Sequence, residues 1–200
     1  MNFSMERSRE NLKTIIDYSV SIISLILLIP VIVILTVSIK MTGKGPVIYS
    51  QKRIGRNGKV FCLYKFRSMH TGDKEGTHLS SGKEDKRITR LGRFMRKHKL
   101  DEIPNFINVL KGEMSIIGPR PEQPFYFDQI VNREPRYRQL HLIKPGITSW
   151  GQVKYGYASS VDEMIIRMEY DLFYLENRSL GFDLKIAKNT IGIIFRGQGI

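Results

Sequence analysis

The chain has 200 residues, 32 Lys and Arg against 19 Asp and Glu, a formal net charge of +13 and a single cysteine. Cys62 alone can form neither an intramolecular disulfide nor a thiolate zinc cluster, which suits a reducing compartment. The positive balance calls for an anionic partner, whether nucleic acid, acidic lipid headgroups or a phosphorylated substrate.

The first element is an uncharged run from Tyr18 to Ile39, rich in Ile, Leu and Val and interrupted by Pro30. As one helix it would measure about 33 Å, close to the hydrocarbon core of a bilayer. Pro30 marks a helix break, because an interior proline removes one backbone hydrogen bond and collides with the preceding turn. Arg7, Arg9 and Lys13 lie before the run, and Lys40, Lys44, Lys52, Arg53 and Arg56 lie after it. Cations at both ends fit a re-entrant hairpin with both ends in the cytoplasm better than a span, whose positive side is single. A proline-kinked span is the alternative. A signal peptide fits poorly, since the apolar region is too long and no cleavage site follows. Ser21 and Ser24 are placed to bond backbone groups freed at the break.

Residues 1–40 thus read as a membrane hairpin and residues 41–200 as one cytosolic domain, since about 160 residues suffice for one core. The fold class expected is α+β and mainly helical, with a short β-hairpin and amphipathic helices at the membrane interface. Val47–Tyr49 and Val60–Tyr64 are β-prone runs, and Gly55-Arg56-Asn57-Gly58 between them contains the Asn-Gly turn signal. Residues 71–90 shift to Gly, Ser, Lys, Glu and Asp and read as a mobile loop. Phe106, Ile107 and Leu110 make a short helix ended by Gly112, with Asp101 as a natural N-cap ahead of Pro104. Val161, Met164, Ile165, Met168, Leu172 and Leu175 repeat at helical spacing, as do Leu184, Ala187, Ile191 and Ile194. A stripe facing the core explains both helices, although Lys185, Lys188 and Arg196 also suit a helix lying in the headgroup layer, and Trp150 could sit at the same depth.

Chemistry concentrates in the middle of the chain. Asp101-Glu102 follows the basic run Arg96–Lys99 at a helix start, where the dipole keeps a carboxylate ionised and can also receive a phosphate. Arg120 stands between Pro119 and Pro121, which fix its backbone and present its guanidinium to a phosphate or a carboxylate. Lys65-Phe66-Arg67 follows a predicted strand and supplies two cations on alternate residues, hence on one face. Composition and spacing reach a membrane-associated basic domain with a carboxylate among cations. A helix-turn-helix, ribonucleoprotein or zinc signature is missing, so no nucleic-acid partner is expected.

These motifs resemble the bacterial sugar transferase family, the monotopic phosphoglycosyl transferases. The resemblance runs through Gln51-x-Arg53-x-Gly55, Lys65-Phe66-Arg67-Ser68-Met69, Leu100–Pro104, Asn108–Ser115, Gly118–Pro121, Lys144–Thr148 and Asp183–Ile186. It implies transfer of a sugar 1-phosphate from a UDP-sugar to polyprenyl (undecaprenyl) phosphate, with release of UMP and a requirement for Mg²⁺. It also implies a re-entrant helix in the bacterial inner membrane, a cytoplasmic active site, contact with membrane lipids, and the minimal form of the family; a second copy of the chain is a candidate partner. By the resemblance Asp101 is the nucleophile and lies within reach of the metal, and Glu102 is the second member of the catalytic dyad. Lys65, Arg96 and Arg120 match positions that hold phosphate or nucleotide, and Asp183 matches a further acidic position assigned to substrate binding. The segment Ser149–Tyr157 departs from the usual pattern and lacks an expected arginine. The competing functions are a membrane-tethered nucleic-acid binder and a noncatalytic scaffold.

Overall fold

A computed structural model describes residues 3–70 and 85–199, with side chains from Arg9 onward. The loop expected over residues 71–90 therefore falls mostly outside the described residues. Helix α1 (Phe3–Leu27) and helix α2 (Ile29–Met41) meet at Leu28 with a bend of 62°. Pro30 sits in the first turn of α2, where its missing N–H costs nothing. Leu28 N–H still bonds Ser24 O at 2.9 Å, and Ile32 N–H bonds Leu28 O at 2.8 Å, so the break is a change of direction with little loss of backbone pairing. The Ser21 hydroxyl does not serve the break: it is buried without a partner. Among the described residues no single helix is long and apolar enough to cross a membrane, whereas the bent pair has the length and composition to do so together.

Strands β1 (Ile48–Ile54) and β2 (Val60–Phe66) form the antiparallel hairpin, in register from Ile48 opposite Phe66 to Ile54 opposite Val60. Asn57 and Gly58 both take positive φ in its turn, the conformation that favours these residue types. Arg67, just past β2, turns away from the face expected to collect phosphates. Its guanidinium donates to the carbonyls of Ile39, Gly43 and Lys44 and so satisfies groups at the end of α2.

Helix α3 (Arg90–Lys97) is capped by Thr89 and approaches so closely that a Cβ on Gly92 would lie 2.0 Å from Ser68 O. Lys99 then takes a left-handed conformation, φ 54°, and starts a 3₁₀ turn over Leu100–Glu102. Asp101 belongs to that turn. Helix α4 (Asn105–Leu110) begins after Pro104 without a side-chain cap, so the expected capping role of Asp101 is corrected. Gly112 ends the region at φ 77°, as its sequence position suggested.

Strands β3 (Ser115–Ile117) and β4 (Gly146–Thr148) form a parallel pair that the sequence reading did not anticipate. Between them lie helix α5 (Pro124–Arg133) and a 3₁₀ segment over Pro135–Leu142. Helices α6 (Trp150–Lys154), α7 (Val161–Glu176) and α8 (Leu180–Arg196) complete the chain, capped by Ser149, Ser160 and Ser179. The fold is mainly helical α+β with a short antiparallel hairpin, as expected.

Two apolar clusters bracket the functional residues. One joins Leu35 and Ile39 of α2 to Phe66, Met95 and Ile103. Another packs Ile117, Ile143, Trp150, Tyr174 and Ile186. Trp150 is buried against Phe182 with ring centroids 5.0 Å apart, so it packs in the core and not at an interfacial depth. Helix α1 is fastened to the rest by polar contacts. Asp17 accepts from Ser115 Oγ at 2.7 Å and from Ile116 N–H at 3.1 Å.

Candidate functional site

Three segments bring charge together. Strand β2 supplies Lys65, the turn after α3 supplies Lys99, Asp101 and Glu102, and the loop after β3 supplies Arg120. Lys65 Nζ lies 2.7 Å from Glu102 Oε1 and 3.9 Å from Asp101 Oδ2. Lys99 Nζ stands 3.4 Å from Glu102 Oε2, and Arg120 lies 3.5 Å from Glu102 Oε1. Three cations therefore converge on Glu102, and Asp101 is left with one long contact.

This asymmetry separates two adjacent carboxylates. Burial disfavours ionisation of Glu102, but Lys65, Lys99 and Arg120 outweigh it and hold the group well below the usual carboxylate range. Burial also raises Asp101, and here Lys65 compensates less while the neighbouring Glu102 charge adds to the rise. Burial lowers Lys65 against the attraction of both carboxylates. For Arg120 burial is outweighed by Glu102 and Glu122, and its value rises, so it stays a firm cation.

A cleft of about 60 Å³ opens beside this cluster. Lys99, Glu102, Arg120 and Arg167 form its charged side, and Thr148, Gln152 and Tyr157 contribute neutral polar groups. Glu102 thus borders a cavity that carries cations able to hold phosphate oxygens, and Asp101 is its neighbour in the same turn.

The positioning framework draws on motif residues, Arg53, Asn108 and Glu113, and on Glu122, Arg167 and Asp171 outside the motifs. Asn108, fully buried, accepts from Tyr64 N–H at 3.1 Å and donates to Cys62 O and to Glu113, pinning α4 against β2. Glu122 is buried between Arg53, 3.3 Å away, and Arg167. Arg53 also donates to Pro121 O at 3.1 Å, so the end of the hairpin grips the loop that carries Arg120. Asp171 of α7 accepts Gly151 N–H at 2.8 Å and Arg120 N–H at 3.4 Å, linking α6 to that loop. Burial pushes its carboxyl up to about 6 against the hydrogen bonds it receives.

Of the residues expected at the site, Lys65, Asp101, Glu102 and Arg120 come together. Arg96 lies close by, with its Nε donating to Ser68 Oγ at 2.9 Å, and its charge acts on Asp101. Asp183 is not brought to this cluster. It pairs with Lys13 of α1 at 2.7 Å and accepts from Tyr174 Oη at 2.6 Å. Sequence reasoning missed Glu122 and Asp171, and gave no role to Asn108, which opens one of the motifs. Isolated carboxylates carry no spacing signal, although Pro121 and Pro124 bracket Glu122 in the sequence.

The donor set also bears on Mg²⁺. Among the described residues no three His, Cys, Asp or Glu side chains gather as a metal cage. Asp101 is a hard oxygen donor whose ion-pair partner among the described residues, Lys65, stands 3.9 Å away. One carboxylate completed by substrate phosphates is the usual way Mg²⁺ is held, so the residues present fit the ion.

A model of the bacterial sugar transferase family matches residues 8–197. An Aeromonas hydrophila protein named as a UDP-N-acetylgalactosamine-undecaprenyl-phosphate N-acetylgalactosaminephosphotransferase is 40% identical over 183 residues, which is 92% of this chain and 43% of that protein. A Klebsiella pneumoniae protein named as a UDP-glucose:undecaprenyl-phosphate glucose-1-phosphate transferase is 39% identical over 181 residues, covering 90% of this chain and 39% of its own length. An uncharacterized sugar transferase of Bacillus subtilis is 36% identical over 191 residues, covering 94% of this chain and 90% of that protein. The chain spans about two fifths of the first two relatives. With motifs, site geometry and the family match in agreement over nearly its whole length, the chain belongs to the bacterial sugar transferase family.

Proposed function

We propose that the chain transfers a sugar 1-phosphate from a UDP-sugar to polyprenyl phosphate and releases UMP. The observation that carries this reading is the unequal carboxylate pair: Glu102, on the cleft, is neutralised by three cations, and the adjacent Asp101 has only the long Lys65 contact among the described residues. The names of the relatives supply the substrate classes.

In this mechanism an Asp101 carboxylate oxygen attacks the β-phosphorus of the UDP-sugar. The bond from that phosphorus to the bridging oxygen breaks, and UMP leaves with the electron pair. An oxygen of polyprenyl phosphate then attacks the same phosphorus and displaces Asp101 as a free carboxylate. Two displacements at one centre are covalent catalysis by a carboxylate. Lys65, Lys99 and Arg120 offset the repulsion between Asp101 and an anionic substrate, and Glu102 keeps them oriented. Asp101 with substrate phosphates would hold Mg²⁺, which when bound neutralises developing charge on phosphate oxygens.

The bent pair α1–α2 supports a re-entrant membrane segment with the catalytic part on the cytoplasmic face. Ile22, Ile23, Ile26, Leu27, Ile29, Val33, Ile34 and Val37 are all exposed, more apolar surface than a monomer normally leaves in water. Leu184, Ile191 and Phe195 of α8 are exposed as well and suit the interfacial role considered for that helix.

The test is purified protein in detergent with a panel of UDP-sugars, polyprenyl phosphate and Mg²⁺. UMP release is expected, with a sugar-phosphate adduct on Asp101 detected by mass spectrometry in the absence of acceptor. Asp101→Asn removes the nucleophile, and retained turnover in that variant excludes this mechanism.

A further inference from the structure

The cleft changes character away from Glu102. Thr148, at the end of β4, is already engaged with Thr190, their hydroxyl oxygens 2.8 Å apart. Gln152 is not: its Oε1 is buried and accepts no hydrogen bond, while its backbone N–H is held by Ser149 Oγ at 3.0 Å. A buried amide oxygen without a donor costs about 1–3 kcal/mol. In the wall of a cleft, the missing donor can come from a bound molecule.

Gln198 reaches the same cleft by a separate device. Gly197 ends α8 at φ 61°, and Gln198 N–H donates to Ile193 O at 3.0 Å. Gly199 N–H donates to Lys97 O at 3.0 Å, and a Cβ on Gly199 would lie 2.6 Å from Arg96 O. The segment after α8 is therefore seated on the end of α3, directly ahead of Lys99 and Asp101. Its close fit there places a second neutral amide on a cleft that also carries Lys99, Arg120 and Arg167.

We propose that Gln152, with Gln198 on the same cleft, forms a neutral subsite that accepts an N–H or O–H donor of the UDP-sugar. The inference rests on the transferase reading and deepens it. Either the sugar or the uridine can supply such a donor, and UMP, which carries only the uridine, tells the two apart.

The experiment compares wild type with Gln152→Met, which removes the acceptor at similar length. Because the orphaned oxygen burdens the free protein, the melting temperature of Gln152→Met is expected not to fall. The KM for UDP-sugar is expected to rise about tenfold, the size of one hydrogen bond to a buried acceptor. An unchanged UMP inhibition constant assigns the donor to the sugar, and a parallel rise assigns it to the uridine. If neither constant moves, the subsite does not exist. Should Gln152→Met fail to fold, Gln198→Met at an exposed position carries the same comparison. Wild-type protein without UMP release would defeat the transferase reading instead; UDP-sugar and UMP titrations monitored by calorimetry would then still decide the subsite.

Discussion

Replacing Asp171 by Asn is expected to change how stability depends on pH. Asp171 lies near 6 in the folded protein against an ordinary 3.8, so the folded state holds this proton more tightly than the unfolded chain does. Its contribution is fully present below the unfolded value and is lost as pH rises through the folded one. Comparing the two titration curves gives a loss of about 1.5 kcal/mol by about pH 5 and about 3 kcal/mol by about pH 7. Wild type should therefore lose about 1.5 kcal/mol relative to Asp171→Asn between those two pH values, or about 3 to 6 °C for a domain of this size. Glu102 shifts in the opposite direction and acts below its ordinary 4.5, outside this window. Asp101 remains in both proteins and cancels in the difference. Asn keeps an oxygen for Gly151 N–H but no longer offers one to Arg120 N–H, a pH-independent loss of about 1 kcal/mol. The slope and not the level is therefore diagnostic. Thermal melts of both proteins in detergent provide the measurement, and difference curves that stay flat between the two pH values would refute the reasoning.

Glu102→Gln strips the common partner from Lys65, Lys99 and Arg120. It should cost about 3 kcal/mol, the lower end for a broken buried pair, because Lys65 and Arg120 each keep 20% of the side chain accessible; an unchanged denaturation midpoint would contradict the pairing. Gly92→Ala places a methyl against Ser68 O and should destabilise by about 1–3 kcal/mol, read by chemical denaturation, whereas a neutral result would mean that α3 does not sit so close. Asp183→Asn should lower the melting temperature and speed proteolysis within α1 while leaving the KM for UDP-sugar unaltered. A raised KM would instead return Asp183 to substrate binding.

What could be read from the residues was local. The hairpin announced itself by β-prone runs around Asn-Gly, the helix break by Pro30, and α7 and α8 by their periodicity. Arg120 was marked by its flanking prolines, and Asp101-Glu102 by the basic run before it. The remainder depended on long-range placement. Lys65 and Arg67 stand at alternate positions, yet Lys65 lies in β2 and meets Glu102 while Arg67, just past the strand, caps α2, because the chain after β2 turns toward a different neighbour. Asp101 looked like a cap, but the left-handed Lys99 starts a 3₁₀ turn first and moves the helix start beyond Pro104. Glu122 and Asp171 acquire meaning only through the arginines and amide groups that distant segments bring to them.

The parallel pair β3–β4 bears on how the protein assembles. Its strands are three residues each, and about thirty residues separate them, so chain entropy is spent closing that loop before a handful of backbone bonds can offset it. Arg120 follows one strand, while Thr148 and Gln152 end or follow the other. The cleft that Arg120, Thr148 and Gln152 line is therefore expected to form only once this pair has closed. Trp150 lies beside Ile117 in the cluster completed by the same closure. During refolding its fluorescence should recover on the same clock as activity, after the helical circular dichroism signal has returned.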